Sequence, residues 1–318
     1  MVWIQTLLSV VACAIGLQAI GLQEDIPPQS GAHEQQGEEP KPLSLKEIVA
    51  LFEKETTITL EGSGVTISSC YFEHEKKQVE AISFRPRGEG PFPGVFLIPG
   101  YSRSARDYIP VGLTLARAGF GALAVAQPGF GHSEGEPDWV GPATISALRA
   151  GYDRFCKEEW IDAGRTAVFG YSRGAVAAAI LAVRVDRFKA AVCAAGIYDL
   201  KQEYATNPNP GIRANMEKET GLSDEAFGER SPLFMMEKLC CPLLILHGEK
   251  DVNASVAQAR LLCRRLDALE KDYEVKLYPE RDHDLGRKNL YGALLDFLER
   301  RLKSPEFEKE STQNPPKK

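Results

Sequence analysis

A series of short apolar runs with β-propensity starts near residue 94 and alternates with helical stretches, and this constrains the fold more than any other feature. The runs are apolar throughout, which is typical of strands that helices cover on both faces. Strands that alternate with helices pair in parallel. The sequence therefore predicts an α/β fold with a mostly parallel sheet, its strands being GVFLI (94–98), GALAVA (121–126), TAVF (166–169), AAVCAA (190–195), PLLIL (242–246) and YEVKLY (273–278).

Two other segments belong to the same predicted domain, which spans residues 43–303. Residues 43–54 have helical spacing of apolar positions, and residues 56–85 alternate in polarity, so a short helix and antiparallel strands should precede the parallel core. Residues 197–238 have no strand pattern and are rich in Asn, Pro, Glu and Met. They predict a small helical insertion that lines a pocket.

The ends of the chain differ in composition from this domain. Residues 1–22 carry no charged side chain and residues 23–42 are polar and acidic. This order predicts an export signal and a disordered linker, and hence a secreted or periplasmic protein, with an uncleaved membrane anchor or a lipid anchor at Cys13 as alternatives. Residues 304–318 predict a disordered tail.

Charge and composition exclude several classes of partner. The net charge is −6 and there is no run of Lys and Arg, which argues against nucleic acid and against an anionic membrane surface. The five histidines are scattered and no C-x-x-C motif occurs, so neither a metal nor another cofactor is expected. Of the seven cysteines, Cys193 lies in an apolar run and reads as a core residue, and the disulfide status of the others stays open.

The pattern G-x-S-x-G occurs twice, as GHSEG (131–135) and GYSRG (170–174). A nucleophilic serine of this kind needs a buried strand before it, small flanking residues and a helix directly after it. TAVF precedes Ser172 and an apolar helical run, 175–185, follows it. Pro and Gly flank Ser133 on both sides, so that motif predicts a loop and Ser172 is the candidate nucleophile.

A serine nucleophile needs a base, and the base needs an orienting carboxylate. Ligands of open α/β sheets lie beyond the carboxyl ends of the strands. Asp251 follows PLLIL and His283 follows YEVKLY, so both are placed at that edge. The chain order Ser172, Asp251, His283 is the order found in α/β-hydrolases.

Residues from about 80 to 303 resemble the catalytic domain of the prolyl oligopeptidase and dienelactone hydrolase branch of the α/β-hydrolases. The resemblance rests on the LIPG run, the GFGHSEG loop, the GYSRG motif, SPLFMMEKLCCPLLILHGEKD and LYPERDH. It implies the α/β-hydrolase fold and a triad of Ser172 as nucleophile, Asp251 as acid and His283 as base. It also implies an oxyanion hole formed by the backbone N–H groups of Tyr101 and Arg173. Strict dienelactone hydrolases use cysteine as the nucleophile, so their substrate is not implied.

Several of these residues have a second interpretation. Asp251 could cap a helix that begins near Asn253, and Asp199, which also follows a strand, could be the acid. His283 could be a solvated loop residue. His247 is interpreted as a packed residue at a strand end, in preference to a second base.

Four residues in or near the two motifs could have further roles. Arg103 and Arg173 could bind a substrate carboxylate, although ordinary salt bridges are the simpler expectation. His132 and Ser133 are expected to shape a turn on the pocket side.

The resulting functional hypothesis is a serine hydrolase that cleaves a carboxylic ester of a small molecule. A serine exopeptidase related to acylaminoacyl peptidases, acting on short peptides, is the second hypothesis, and a binding protein without catalytic activity is the third. The roughly 80 residues before the hydrolase region cannot build a β-propeller of four blades with about 40 residues each. This expectation favours a small ester as substrate.

Overall fold

A nine-stranded sheet forms the centre of the computed structural model, which describes Ile48 and residues 56–60 and 62–303. The strands are β1 (Thr57–Leu60), β2 (Val65–His74), β3 (Lys77–Arg85), β4 (Phe92–Ile98), β5 (Gly121–Val125), β6 (Ile161–Tyr171), β7 (Phe188–Ala194), β8 (Leu243–Gly248) and β9 (Tyr273–Tyr278). Their order in the sheet is β1-β2-β3-β5-β4-β6-β7-β8-β9. The pairs β1/β2, β2/β3 and β3/β5 are antiparallel and all later pairs are parallel. The predicted mostly parallel sheet is confirmed.

Helices cover both faces of this sheet. Those of the described residues are α1 (Ile109–Arg117), α2 (Pro142–Phe155), α3 (Arg173–Arg184), α4 (Leu200–Thr206), α5 (Pro210–Thr220), α6 (Asp224–Glu229), α7 (Val256–Ala268) and α8 (Arg287–Leu302), with 3-10 turns at Ala105–Tyr108 and Pro232–Lys238. Helices α2, α3 and α7 enclose one apolar core, which contains Phe96 and Tyr152. Helices α1 and α8 enclose the other core, with Phe169 and Phe297.

Strand β6 is longer than the four residues predicted for it. Ile161 and Asp162 pair with Phe92 and Pro93 at the start of β4, before the register shifts at Pro93/Gly94. Residues 162–165 include polar side chains and a glycine, so a search for apolar runs does not identify this part of the strand. Pairing with a neighbouring strand therefore extends β6 beyond its apolar run.

The predicted helical insertion is present between β7 and β8, where α4, α5, α6 and the second 3-10 turn follow one another. The predictions for residues 1–22, 23–42 and 304–318 fall outside the described residues, as does most of the helix predicted for 43–54, of which Ile48 is helical and buried. Among the described residues, no helix combines the length and apolar character that a bilayer crossing requires. The six cysteines in that part of the chain are free thiols.

Candidate active site

Ser172 lies on the sharp turn between β6 and α3. Its backbone has φ 57° and ψ −124°, a strained conformation for a residue other than glycine. A Cβ atom at Gly170 would lie 2.0 Å from the carbonyl oxygen of Gly174, and one at Gly174 would lie 2.1 Å from the carbonyl oxygen of Ile98. Both glycines of GYSRG are therefore needed because backbone occupies the space of a side chain.

His283 lies on the loop after β9, and its imidazole contacts two other side chains. Its Nε2 is 2.9 Å from Oγ of Ser172, and its Nδ1 is 2.8 Å from Oδ2 of Asp251. Asp251 lies on the loop after β8. The structure thus brings the three predicted side chains together at the carboxyl edge of the parallel strands, in hydrogen-bond reach of one another.

The carboxylate of Asp251 is buried, and hydrogen bonds hold both of its oxygens. Oδ1 accepts the backbone N–H groups of Asn253 and Ala254, each at 2.9 Å, while Oδ2 faces His283. Burial opposes ionisation, but hydrogen bonds from His247 and His283 outweigh it and hold the pKa of Asp251 well below its usual range. Asp251 is therefore an anion that can orient the imidazole of His283.

The structure also decides between Asp251 and the alternatives considered for it. Helix α7 begins after Ser255, whose Oγ accepts the N–H of Ala257, so Asp251 does not cap that helix. Asp199 caps α4 instead, and its Oδ1 accepts the N–H of Gln202 at 3.0 Å. The carboxylate that faces His283 is thus that of Asp251.

Ser133 of the other G-x-S-x-G motif is buried in a loop. Its Oγ donates to the carbonyl of Ala126 and accepts the N–H of Glu80, both at 2.9 Å. No helix begins between Ser133 and Pro142. Ser133 ties the loop to β3 and β5, and it does not line the cavity at Ser172.

The remaining polar residues singled out in the sequence have structural partners. His247 is fully buried at the end of β8, where its Nε2 donates to the carbonyl of Ala254. The half-exposed His132 lies 3.7 Å from a carboxylate oxygen of Glu80. Arg103 is mostly exposed, with Nη1 3.7 Å from Asp107. The placements of His247 and Arg103 match the expected packing and salt bridge. His132, expected to shape a turn on the pocket side, does not line the cavity at Ser172.

Two backbone segments lie close to Ser172. Arg173 is the first residue of α3, so its N–H belongs to the positive end of that helix. After β4 the chain passes through Gly100, where a Cβ atom would lie 3.3 Å from Cβ of Ser172. Tyr101 follows directly and lines the same cavity. The turn after β4 and the start of α3 thus flank the nucleophile candidate.

Ser172 and His283 open into a cavity of about 870 Å³. The turn after β4, α1 and α5 of the insertion all contribute to its lining. Its apolar lining includes Tyr101, Trp139, Ile197, Ile212 and Leu290. Charged side chains, among them Arg103, Asp107 and Arg287, line it as well. A cavity of mixed polarity beside a hydroxyl and an imidazole suits a small organic substrate.

Two residues at this site were not predicted from the sequence. Tyr171 contacts the loop of His283, and Glu219 of α5 forms a buried ion pair with the side chain of Arg173. Tyr171 occupies a variable position of the motif, and its proximity to Ser172 is the one sequence signal that could have identified it. Glu219 lies in a polar helix without a motif, so the sequence contains no signal for it.

Residues 134–305 match the model of the prolyl oligopeptidase family. The chain is 26% identical over 220 residues to the uncharacterized peptidase YtmA of Bacillus subtilis, covering 67% of this chain and 84% of that protein. It is 24% identical over 230 residues to acylamino-acid-releasing enzyme 2 of Oryza sativa subsp. japonica, covering 66% of this chain and only 30% of that protein.

Solved structures share the fold. An acylaminoacyl peptidase of Pyrococcus horikoshii superposes with a TM-score of 0.66 at 20% identity, over 81% of this chain and 44% of that one. An acetyl xylan esterase from Paenibacillus sp. R4 gives the same TM-score at 18% identity, over 81% of this chain and 92% of that one. These likenesses confirm the α/β-hydrolase fold. Because the family match spans more than half of its residues, the chain belongs to the prolyl oligopeptidase family and is a serine hydrolase.

Proposed function

We propose that Ser172, His283 and Asp251 form a catalytic triad that transfers an acyl group to water. The observation that carries the proposal is the continuous contact from Oγ of Ser172 through the imidazole of His283 to the carboxylate of Asp251, at 2.9 and 2.8 Å. This arrangement also supports catalysis over a role in binding alone, because a binding site does not need a base aligned with a strained serine.

In the proposed reaction, Nε2 of His283 takes the proton of Ser172 as Oγ attacks the acyl carbonyl carbon. The carbonyl π electrons move to oxygen, and backbone N–H groups of Tyr101 and Arg173 bind the oxyanion. Each such donor contributes roughly 3 to 4 kcal/mol in the best-studied case. The oxyanion then collapses, the bond to the leaving group breaks, and His283 returns the proton to that group. Water attacks the acyl-enzyme by the same steps and releases the acid.

We propose a carboxylic ester as the substrate. Support comes from the cavity beside Ser172, whose apolar part includes Trp139, Ile197 and Ile212, and from the likeness to the Paenibacillus acetyl xylan esterase over 92% of that structure. An alcohol also leaves more easily than an amine, which must be protonated first. Short acyl chains fit a cavity of about 870 Å³.

Cleavage of a peptide or acylated amino acid is the second candidate. It is favoured by the family match and by the curated relatives, whose names describe peptidases. The chain spans only a third or less of several of these relatives, so their whole-protein activities are not carried over.

Turnover of p-nitrophenyl acetate and butyrate tests the proposal, with Ser172→Ala as the variant. We expect hydrolysis and fluorophosphonate labelling by the wild type and neither by the variant. Retained turnover in Ser172→Ala would refute the nucleophile assignment. A higher kcat/KM for an N-acyl-aminoacyl p-nitroanilide than for the esters would favour the peptidase.

A further inference from the structure

The side chain of Arg173, the residue after Ser172, is almost entirely buried and does not extend into the cavity as a free cation. Its Nη1 lies 2.7 Å from Oε2 of Glu219, and its Nε donates to Oε1 of Gln127 at 3.2 Å. The guanidinium also lies over aromatic rings, at 4.9 Å from the ring centroid of Phe130 and 4.8 Å from that of Trp139. This cation is therefore held by a carboxylate, an amide oxygen and aromatic rings, while its buried Nη2 has no hydrogen-bond partner.

Glu219 joins Arg173 to a strained loop. The same Oε2 atom accepts the backbone N–H of Trp139 at 2.7 Å. Trp139 and Val140 both have positive φ angles, 49° and 61°, which are rare for bulky and β-branched residues. One carboxylate oxygen thus binds the residue after the nucleophile and a backbone segment that needs outside support.

Glu219 lies on the face of α5 that meets the cavity. Ile212, Asn215 and Glu219 are spaced by three and four residues, so they share one face of this helix. Ile212 and Asn215 line the cavity beside Ser172. Fixing Glu219 on Arg173 therefore fixes the rotation of α5 that presents these two side chains to a substrate.

We propose that the ion pair between Arg173 and Glu219 positions α5 as a wall of the substrate cavity and thereby limits the length of the acyl chain that Ser172 accepts. This inference rests on the proposed function of Ser172 as an acyl-transfer nucleophile. Arg173 and Glu219 are positioning residues, since their charged groups act on the substrate through Trp139 and through α5.

The charge of Glu219 is essential to this role. Burial lowers the pKa of the Arg173 guanidinium, and the charge of Glu219 acts against that effect. Removal of one partner of a buried pair leaves the other charge without compensation, which is much less favourable than removal of both. The variant Glu219→Gln should therefore loosen the contact of α5 with the turn between β6 and α3, although its side chain keeps the size and one acceptor.

The test compares p-nitrophenyl acetate, butyrate and octanoate, with rates normalised to the sites titrated by a fluorophosphonate. In Glu219→Gln we expect the octanoate-to-acetate ratio of kcat/KM to rise about tenfold, or about 1.4 kcal/mol, mainly through a lower KM for octanoate. Glu219→Asp, which restores the charge, should recover part of the wild-type ratio. The matched control is Glu217→Gln on the exposed face of the same helix, where the amide oxygen can still accept the hydrogen bond from Tyr204 of α4 and the wild-type ratio should persist.

A second variant and a second measurement keep the inference testable if Glu219→Gln folds poorly. Arg173→Met combined with Glu219→Gln removes both charges and should show the same wider selectivity. Backbone amides of α5 should exchange hydrogen faster than in the wild type in both variants, and at the wild-type rate in Glu217→Gln.

If Ser172→Ala is inactive, as expected, two results would still overturn the inference about Arg173 and Glu219. One is an octanoate-to-acetate ratio within about twofold of wild type in the single and double variants. The other is an equal loss of kcat/KM on all three esters, which indicates general damage to the fold. Turnover by Ser172→Ala would instead overturn the proposed function and this inference together.

Discussion

The hydroxyl of Tyr171 donates a hydrogen bond to the backbone carbonyl of His283, although the two residues are 112 positions apart. The same hydroxyl accepts the N–H of Leu285 at 3.2 Å, and the two rings meet edge to face with centroids 5.9 Å apart. Burial raises the pKa of Tyr171 to about 12, so its proton stays in place at neutral pH. The residue before Ser172 therefore holds the loop that carries the proposed base.

The variant Tyr171→Phe tests this relationship. It removes the hydroxyl and leaves the ring, so the protein should fold while the loop of His283 loses two hydrogen bonds. Small displacements of catalytic groups cost one to two orders of magnitude in rate. We expect kcat/KM for p-nitrophenyl acetate to fall roughly tenfold or more, mostly in kcat.

Tyr273→Phe is the control, because that hydroxyl donates to Oδ1 of Asp267 at 2.7 Å, at the opposite end of β9 from the loop of His283. Its kcat should stay near that of the wild type. Equal kinetics for the two variants would show that Tyr171 has no special influence on His283.

The position of Asp251 predicts a large effect of Asp251→Asn on turnover. An amide cannot stabilise the imidazolium that forms on His283, and it can favour the wrong tautomer. We expect kcat to fall about a hundred- to ten-thousandfold, with the fold retained. Asp199→Asn, which alters only the cap of α4, should keep wild-type kcat. A larger loss in Asp199→Asn than in Asp251→Asn would reverse the assignment of the acid.

The sequence predicted the parts of this molecule that depend on local chemistry. Fully apolar strands and a Ser172 flanked by Gly170 and Gly174 have signatures that can be read along the chain. The meeting of Asp251 and His283 followed from topology, because the carboxyl ends of parallel strands share one edge. The limits of β6 could not be read, since the pairing partner of its polar part lies on β4.

The contacts that support the site depend on packing between residues distant in the chain, so the sequence shows no pattern for them. Tyr171 and Glu219 act on groups that are distant in the chain, through a hydroxyl and a carboxylate that many surface residues also carry. The side chain of Arg173 was considered as a ligand for a substrate carboxylate or as an ordinary salt bridge. Its ion pair with Glu219 could be identified only from the fold.

The pKa of Asp251 also predicts how the free energy of unfolding responds to acid. Its folded-state pKa lies below its unfolded value of about 3.9, so its ionisation contributes stability that is present above that value and is lost as pH falls through the folded pKa. Between about pH 5 and pH 2, the free energy of unfolding should therefore fall more steeply in the wild type than in Asp251→Asn. Urea unfolding at a series of pH values measures this, and parallel curves would contradict it.

For Glu203 of α4, the effect of pH on stability has the opposite sign to that of Asp251. Burial raises its pKa, although hydrogen bonds from Asn207 and Ser255 partly offset that effect, and its Oε2 is buried without a hydrogen-bond partner. Its contribution to stability is thus present below its unfolded pKa of about 4.3 and is lost as pH rises through the folded value.

Replacement of Glu203 by Gln keeps one acceptor and removes the buried charge. Glu203→Gln should raise the free energy of unfolding at pH 7 by about 1 kcal/mol and should reduce its decline between pH 5 and pH 7. Urea unfolding of both proteins at these two pH values is the measurement. A variant less stable than wild type at pH 7 would indicate that the ionised carboxylate is stabilising.

The two G-x-S-x-G serines should give opposite results when each is replaced by alanine. Ser133→Ala leaves the carbonyl of Ala126 and the N–H of Glu80 without partners in a buried loop, so it should lower the free energy of unfolding by roughly 1 to 3 kcal/mol. A fluorophosphonate should still label the Ser133→Ala variant, because Ser172 and His283 are unchanged. Ser172→Ala should lose all labelling and keep its stability within about 1 kcal/mol of wild type. Peptide mapping of the labelled protein provides the decisive measurement, since a label on residue 133 would show that a loop serine can react without a base beside it.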